Sequence, residues 1–68
     1  MLFRSEDDKL VIVDYKTDRV LKKDGVKVLT ERYSVQLDYY AKALSQIMDM
    51  PVKDKVIYSF SLGKDIKL

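Results

Sequence analysis

The chain has no cysteine, no histidine and no tryptophan, and only one proline and two glycines in 68 residues. Without cysteine there is no disulfide and no thiolate metal site. Without histidine the common zinc frameworks are excluded too. Ser-His-Asp and Cys-His nucleophilic catalysis fall with them. Any acid, base or metal chemistry must therefore come from Asp, Glu, Lys or Tyr. No apolar run approaches the ~20 residues of a membrane-spanning helix, and the N-terminus lacks a signal-peptide core, so no membrane association is expected. The absence of cysteine fits a reducing compartment, and the expected location is cytoplasmic.

What remains is a small globular composition. The hydrophobic fraction of 47% argues against disorder. A chain this short makes at most one small domain and buries only about 60% of the surface its unfolded form exposes. Thirteen basic and 11 acidic residues give a net charge of +2. That balance permits nucleic-acid binding without demanding it. The signs are interspersed, as on an ordinary soluble surface.

Lys9 to Lys16, KLVIVDYK, is the clearest strand, rich in β-branched residues. Ser5-Glu6-Asp7-Asp8 reads as a turn, with Leu2 and Phe3 ending a first strand of the hairpin. Alternation puts Leu10, Ile12, Asp14 and Lys16 on one face and Val11, Val13 and Tyr15 on the other. Both faces begin apolar, which predicts a central strand covered on both sides. Thr17 to Ser34 reads as a long basic connection with a turn signal at Asp24-Gly25. Val35 to about Met48 predicts a helix. Leu37, Tyr40, Ala41, Leu44, Ile47 and Met48 form its apolar stripe, Ser34 its N-cap, and Asp38 with Lys42 an outer ion pair. Pro51 follows its end. Lys55 to Leu62, KVIYSFSL, predicts a strand with Val56, Tyr58, Phe60 and Leu62 on one face. A turn at Gly63-Lys64 leads to a short last strand, Asp65 to Leu68. The expected fold is α/β: a mixed sheet of three or four strands with one principal helix, in the order β-β-α-β-β, crossing over as a β-α-β unit.

Two constellations could carry chemistry. Asp14 and Lys16 lie two apart on a strand and point the same way, at the end of an apolar stripe. They either mark where the strand emerges into water and satisfy each other, or form part of a hydrolytic site. In the second case Asp14 is a hard oxygen ligand suited to Mg²⁺ or Mn²⁺, and Lys16 orients water and stabilises charge on a phosphate. Gln36 and Tyr40 lie four apart on one helix face. They are either core and rim of the stripe, or a polar pair aimed at the same site. Arg19, Lys22, Lys23, Lys27 and Arg32 could neutralise DNA phosphates, unless Asp18, Asp24 and Glu31 leave an ordinary solvated loop. Tyr15, Tyr33 and Tyr39 could stack on bases, or pack with their hydroxyls in water.

LVIVDYKTD, then ERYSVQLDYYAKAL, then KVIYSFSLGKDI, together resemble the nuclease domain at the C-terminus of AddA-type ATP-dependent helicase/nuclease subunits. More broadly they are similar to the RecB-like branch of the PD-(D/E)xK nucleases. Neither D-x-K nor Q-x-x-x-Y is specific alone; their order, their placement and the surrounding strings carry the resemblance. It implies a restriction-endonuclease-like core, with residues 1–68 forming the C-terminal part of a single nuclease domain. The implied reaction is metal-dependent phosphodiester hydrolysis by an exonuclease serving double-strand break repair and recombination. The implied cofactor is Mg²⁺, with Mn²⁺ possible. The implied partners are DNA and an AddB-like subunit, with an ATP-driven helicase upstream in the parent. By the resemblance, Asp14 is a metal ligand, Lys16 the catalytic lysine, the Tyr15 carbonyl a further metal ligand, and Gln36 and Tyr40 the Q-x-x-x-Y pair.

The departures generate further expectations. The family's second metal-binding Asp, on the preceding strand, falls at or just before Met1. Glu6, Asp7 and Asp8 lie at the far end of the hairpin and are poor substitutes. The chain is thus expected to be a fragment with weak metal binding, inactive alone, with an uncovered sheet face that promotes self-association. The competing reading is a non-catalytic DNA- or protein-binding module of the same fold. A third reading, an unrelated α/β interaction domain, requires both motifs and the strand text to coincide by chance.

Overall fold

A computed structural model describes residues 2–68. Met1, and with it the expected place of the family's second Asp, lies outside the described residues. The elements are β1 (Leu2–Glu6), β2 (Lys9–Lys16), α1 (Gly25–Met48), β3 (Val52–Ser59) and β4 (Lys64–Lys67). The fold class is the expected one: a four-stranded mixed sheet and one helix in β-β-α-β-β order. The sheet order is β1-β2-β3-β4. β1 runs antiparallel to β2, β2 parallel to β3, and β3 antiparallel to β4.

The hairpin turn is tighter than the polar cluster predicts. Ser5 pairs with Leu10 and Glu6 with Lys9, so both belong to β1. Only Asp7 and Asp8 form the loop, at φ 53° and 62°. Two positive-φ residues match the right-handed twist of the flanking strands, and Asp tolerates that region better than most residues. The loop therefore closes in two residues. Glu6 is engaged by Arg4 at 2.6 Å and Lys53 at 3.6 Å, at the opposite end of β2 from Asp14.

The largest correction concerns the helix, which begins at Gly25 rather than Val35 and runs for 24 residues. Ser34 lies within it and is not its N-cap. The start carries little local signal: Asp24 makes no side-chain cap bond, and the first turn holds no acidic residue. Tertiary burial specifies it instead. Leu29, Tyr33, Leu37, Tyr40, Ala41 and Leu44 form one stripe against the sheet residues Ile12, Ile57 and Ile66. Ile47 and Met48, expected in that stripe, are exposed. A helix of this length spans about 36 Å, against about 26 Å for the central strands, so it is longer than the sheet it covers. Asp38 pairs with Lys55 of β3 rather than with Lys42. Asp49 ends the helix in the left-handed region (φ 54°), Ser45 Oγ donates to the Met50 carbonyl at 2.6 Å, and Pro51 follows.

β3 is shifted three residues upstream of the expected strand. Leu10 pairs with Val52 and Val11 with Asp54, a bulge that admits Lys53 and aligns Asp14 with Ile57 and Lys16 with Ser59. β3 ends at Ser59, but the Phe60 N–H still donates to the Lys16 carbonyl at 3.1 Å and the Phe60 ring stays against Tyr58, whereas Leu62 leaves the face of Val56 and Tyr58. Leu62 turns into the core. Its N–H donates to Ser59 Oγ at 3.0 Å, and Gly63 closes the turn at φ 67°.

α1 covers one sheet face only. The expectation of cover on both sides is not met among the described residues. The face with Val13, Tyr15 and Tyr58 carries an aromatic cluster: Tyr15, Tyr58 and Phe60 lie with ring centroids 5.1–6.0 Å apart. Beside it runs a shallow groove lined by Leu2, Phe3, Arg4, Val11, Val13 and Tyr15.

Candidate functional site

The site forms where β2 runs out under the helix. Alternation places Asp14 on the α1 side, after Ile12, and it is only 5% exposed. Lys16 follows on the same face, with its Nζ 3.1 Å from Asp14 Oδ2. The two side chains meet as the spacing predicts. The Lys16 Nζ also sits over the ring of Tyr33, 4.3 Å from its centroid. That is within cation–π range.

Tyr33 is itself fixed. Its hydroxyl donates to Asp18 Oδ2 at 2.6 Å, and Arg32 Nη1 donates to the same oxygen at 2.6 Å. The Tyr33 hydroxyl, then the Arg32 guanidinium, hold the Asp18 carboxyl below its usual range. The bond to Asp18 in turn raises the Tyr33 hydroxyl and the Arg32 guanidinium. Asp18 lies just past β2, in the segment that returns to the helix. That segment is tied down by Ser61. Val20 N–H donates to Ser61 Oγ at 3.1 Å, and Ser61 Oγ donates to the Val20 carbonyl at 3.2 Å.

Gln36 Nε2 donates to the Tyr40 hydroxyl at 3.1 Å. The helix pair therefore meets side chain to side chain. Gln36 is exposed, while Tyr40 packs partly against the core. Tyr15 points to the opposite sheet face, and its backbone lies in the β2/β3 ladder opposite Tyr58. The expected long connection shrinks to residues 17–24. Arg19, Lys22 and Lys23 are exposed on it, and Lys27 is exposed on α1. Arg32 is also on α1 but is committed to Asp18.

Asp18 and Tyr33 join the site although neither motif contains them: the sequence offers Tyr33 only as a base-stacking or packing ring and Asp18 only as a charge of the solvated loop. The signal for Tyr33 was present: Leu29, Tyr33 and Leu37 recur at spacings of four, extending the stripe backward. Asp18 has no such signal, because nothing in local sequence pairs it with residues 14 and 15 positions away.

Chemically, the arrangement offers a lysine ammonium beside a buried carboxylate at a strand end. Lysine carries three N–H donors and suits a phosphate oxygen as a point charge. Metal binding is another matter. Among the described residues no group of three Asp or Glu side chains gathers. Asp14 alone does not make up a Mg²⁺ site, since hard cations take several oxygen ligands. Among the described residues no helix is long and apolar enough to cross a membrane.

No family model matches the chain. Curated relatives do. It is 49% identical over 67 residues, 98% of its length, to the A subunit of the ATP-dependent helicase/nuclease of Lachnoclostridium phytofermentans. It is 48% identical over 61 residues, 90% of its length, to the like-named protein of Thermoanaerobacter sp. strain X514. It is 43% identical over 63 residues, 93% of its length, to that of Clostridium botulinum strain Hall. In each case the chain spans only 5% of the relative's length. Over nearly its whole length the chain is homologous to one short segment of these proteins, and it belongs to the family of ATP-dependent helicase/nuclease A subunits.

Proposed function

We propose that the chain is the C-terminal part of a DNA nuclease domain within an ATP-dependent helicase/nuclease, acting as an exonuclease in double-strand break repair. The observation that carries this reading is the pairing of Asp14 with Lys16 at 3.1 Å, on the covered face at the end of the central parallel strand. Lys16 would meet a phosphate oxygen of the substrate and neutralise charge that grows there during hydrolysis. Asp14 would keep the ammonium at the strand end. Gln36 and Tyr40 would support the site from α1. Arg19, Lys22, Lys23 and Lys27 would hold the DNA backbone, with Arg32 contributing less because Asp18 already holds it. Mg²⁺ or Mn²⁺ belongs to the proposal, with Asp14 and the Tyr15 carbonyl as ligands, only if further acidic ligands come from outside the described residues. An AddB-like protein is the proposed partner of the parent, and the isolated chain is proposed to be inactive. Alone, its open sheet face is proposed to pair with a second copy.

The test is a chimera. This chain replaces the matched segment of the L. phytofermentans relative, which is assembled with its partner protein and given labelled single-stranded DNA with Mg²⁺ or Mn²⁺. The chimera should cleave. Lys16→Ala should abolish cleavage and leave ATP-driven unwinding intact. Cleavage at the parental rate in that variant would sink the reading. A second reading, a binding module without catalysis, draws on the lack of a three-acid group among the described residues. It predicts a chimera that retains DNA binding but cleaves no faster than its Lys16→Ala variant.

A further inference from the structure

Lysine is a poor candidate for a fixed catalytic group unless something restrains it. Its charge rides on a flexible four-carbon stem. Here the Lys16 side chain is only 20% exposed, and two neighbours hold its Nζ: Asp14 Oδ2 at 3.1 Å and the Tyr33 ring at 4.3 Å from its centroid. The two contacts differ in kind. Asp14 accepts a hydrogen bond. The ring attracts the cation through its quadrupole and leaves the remaining N–H donors available to a phosphate. A second carboxylate in place of the ring would take another donor and reduce the charge available to the substrate.

The ring in turn is held from its far end. The Tyr33 hydroxyl is bound to Asp18 at 2.6 Å, and Arg32 braces the same carboxylate oxygen at 2.6 Å. Asp18 sits two residues beyond Lys16, so the segment leaving β2 folds back to fix the ring that restrains Lys16.

We propose that Tyr33, anchored by Asp18, is a positioning residue for Lys16, its ring fixing the ammonium at the end of β2. This rests on the nuclease reading of Lys16. Tyr33 also packs against the core, so the test must separate holding from packing.

In the chimera, Tyr33→Leu keeps apolar bulk but removes the ring. It should lower kcat for DNA cleavage about 10- to 100-fold, with KM for DNA and ATP-driven unwinding unchanged. Tyr33→Phe keeps the ring but loses the bond to Asp18, and should cleave at a rate between those of the parent and Tyr33→Leu. A Tyr33→Phe rate as low as that of Tyr33→Leu would overturn the proposal, because the ring would hold nothing by itself, and a fully parental rate would overturn the part played by Asp18. Parental rates in both variants, with Lys16→Ala inactive, would overturn it and leave the nuclease reading standing. Parental cleavage by Lys16→Ala would remove both. A measurement free of variants uses NMR on the 68-residue chain. The Lys16 ε-methylene protons should resonate upfield of the other lysines, shifted by the Tyr33 ring. Lys16 resonances at the positions of the exposed lysines would overturn the proposal.

Discussion

Replacing Gly25 by alanine sets two known effects against each other. In a helix interior Ala is favoured over Gly by up to about 1 kcal/mol. Gly25 is the first residue of α1, where less of that gain applies. Against it stands a steric cost. A Cβ there would lie 2.8 Å from Val20 Cγ2 and 3.0 Å from both δ-carbons of Leu62. Leu62 can rotate. Val20 is β-branched, and its backbone is tied on both sides to Ser61. Overpacking of this kind costs about 1–3 kcal/mol. The net expectation is a loss of about 1 kcal/mol, from a total near 3–10 kcal/mol for a chain of this size. With a urea slope of about 1 kcal/mol/M, the midpoint should fall by about 1 M. Far-UV circular dichroism of the chain against urea measures it, with an unchanged slope as the check on compactness. A rise in midpoint would refute the reasoning, since helix propensity would have outweighed the crowding.

Three other outcomes are expected. As pH falls, the chain should lose the contribution of Asp18. Its folded-state pKa is depressed by Tyr33 and Arg32, so this stability is present above the unfolded value of about 3.9 and drains as pH falls through the lower folded one. Asp18→Asn should flatten the acid limb of the urea midpoint against pH, and an unaltered limb would count against the network. Lys22→Ala with Lys23→Ala should flatten the salt dependence of single-strand DNA binding by the chimera, each phosphate contact contributing a slope of about 0.7. Arg32→Ala should change that slope less, because Asp18 already holds the guanidinium, and an equal change would show that the pair opens on DNA. Light scattering of the isolated chain should give more than a monomer's mass. Tyr15→Lys should return it to monomer by charging the open aromatic face, whereas a monomeric parent would remove the self-association proposal.

The strands were legible because their signals are local. β2 is a β-branched run whose bounds match the structure residue for residue, and its alternation places Asp14 and Lys16 on one face as expected. β3 starts three residues before the predicted strand, because only pairing with β2 across a bulge brings Val52 to Asp54 into the sheet. The first ten residues of α1 depend on distant contacts in the same way. Asp24-Gly25 carries the composition of a turn, and no capping bond contradicts that. Only the burial of Leu29 and Tyr33 against a sheet formed by distant residues settles it as helix. Alternation alone predicts cover on the aromatic face; that it lies open follows instead from reading the chain as a fragment, since what lies on a sheet face is not written in the strand.

The early helix start and the Tyr33–Asp18 contact are one feature rather than two. If Thr17 to Ser34 were an open loop, Tyr33 would have no fixed direction and Arg32 would be a mobile cation facing solvent. Once the helix starts at Gly25, Tyr33 falls four residues before Leu37 and is carried onto the sheet with it. Its ring then lies over Lys16, and Arg32 lies beside it within reach of Asp18. The shorter loop that remains must turn back sharply, and that brings Asp18 to the Tyr33 hydroxyl. Gly25 is where these demands meet, because only a residue without a side chain lets Val20 and Leu62 close over the helix start. Crowding at Gly25 should therefore reach Lys16 through Asp18 and Tyr33. Gly25→Ala should move the Lys16 ε-methylene resonances toward those of the exposed lysines in the still-folded chain, and unmoved resonances would show that the helix start and the site are independent.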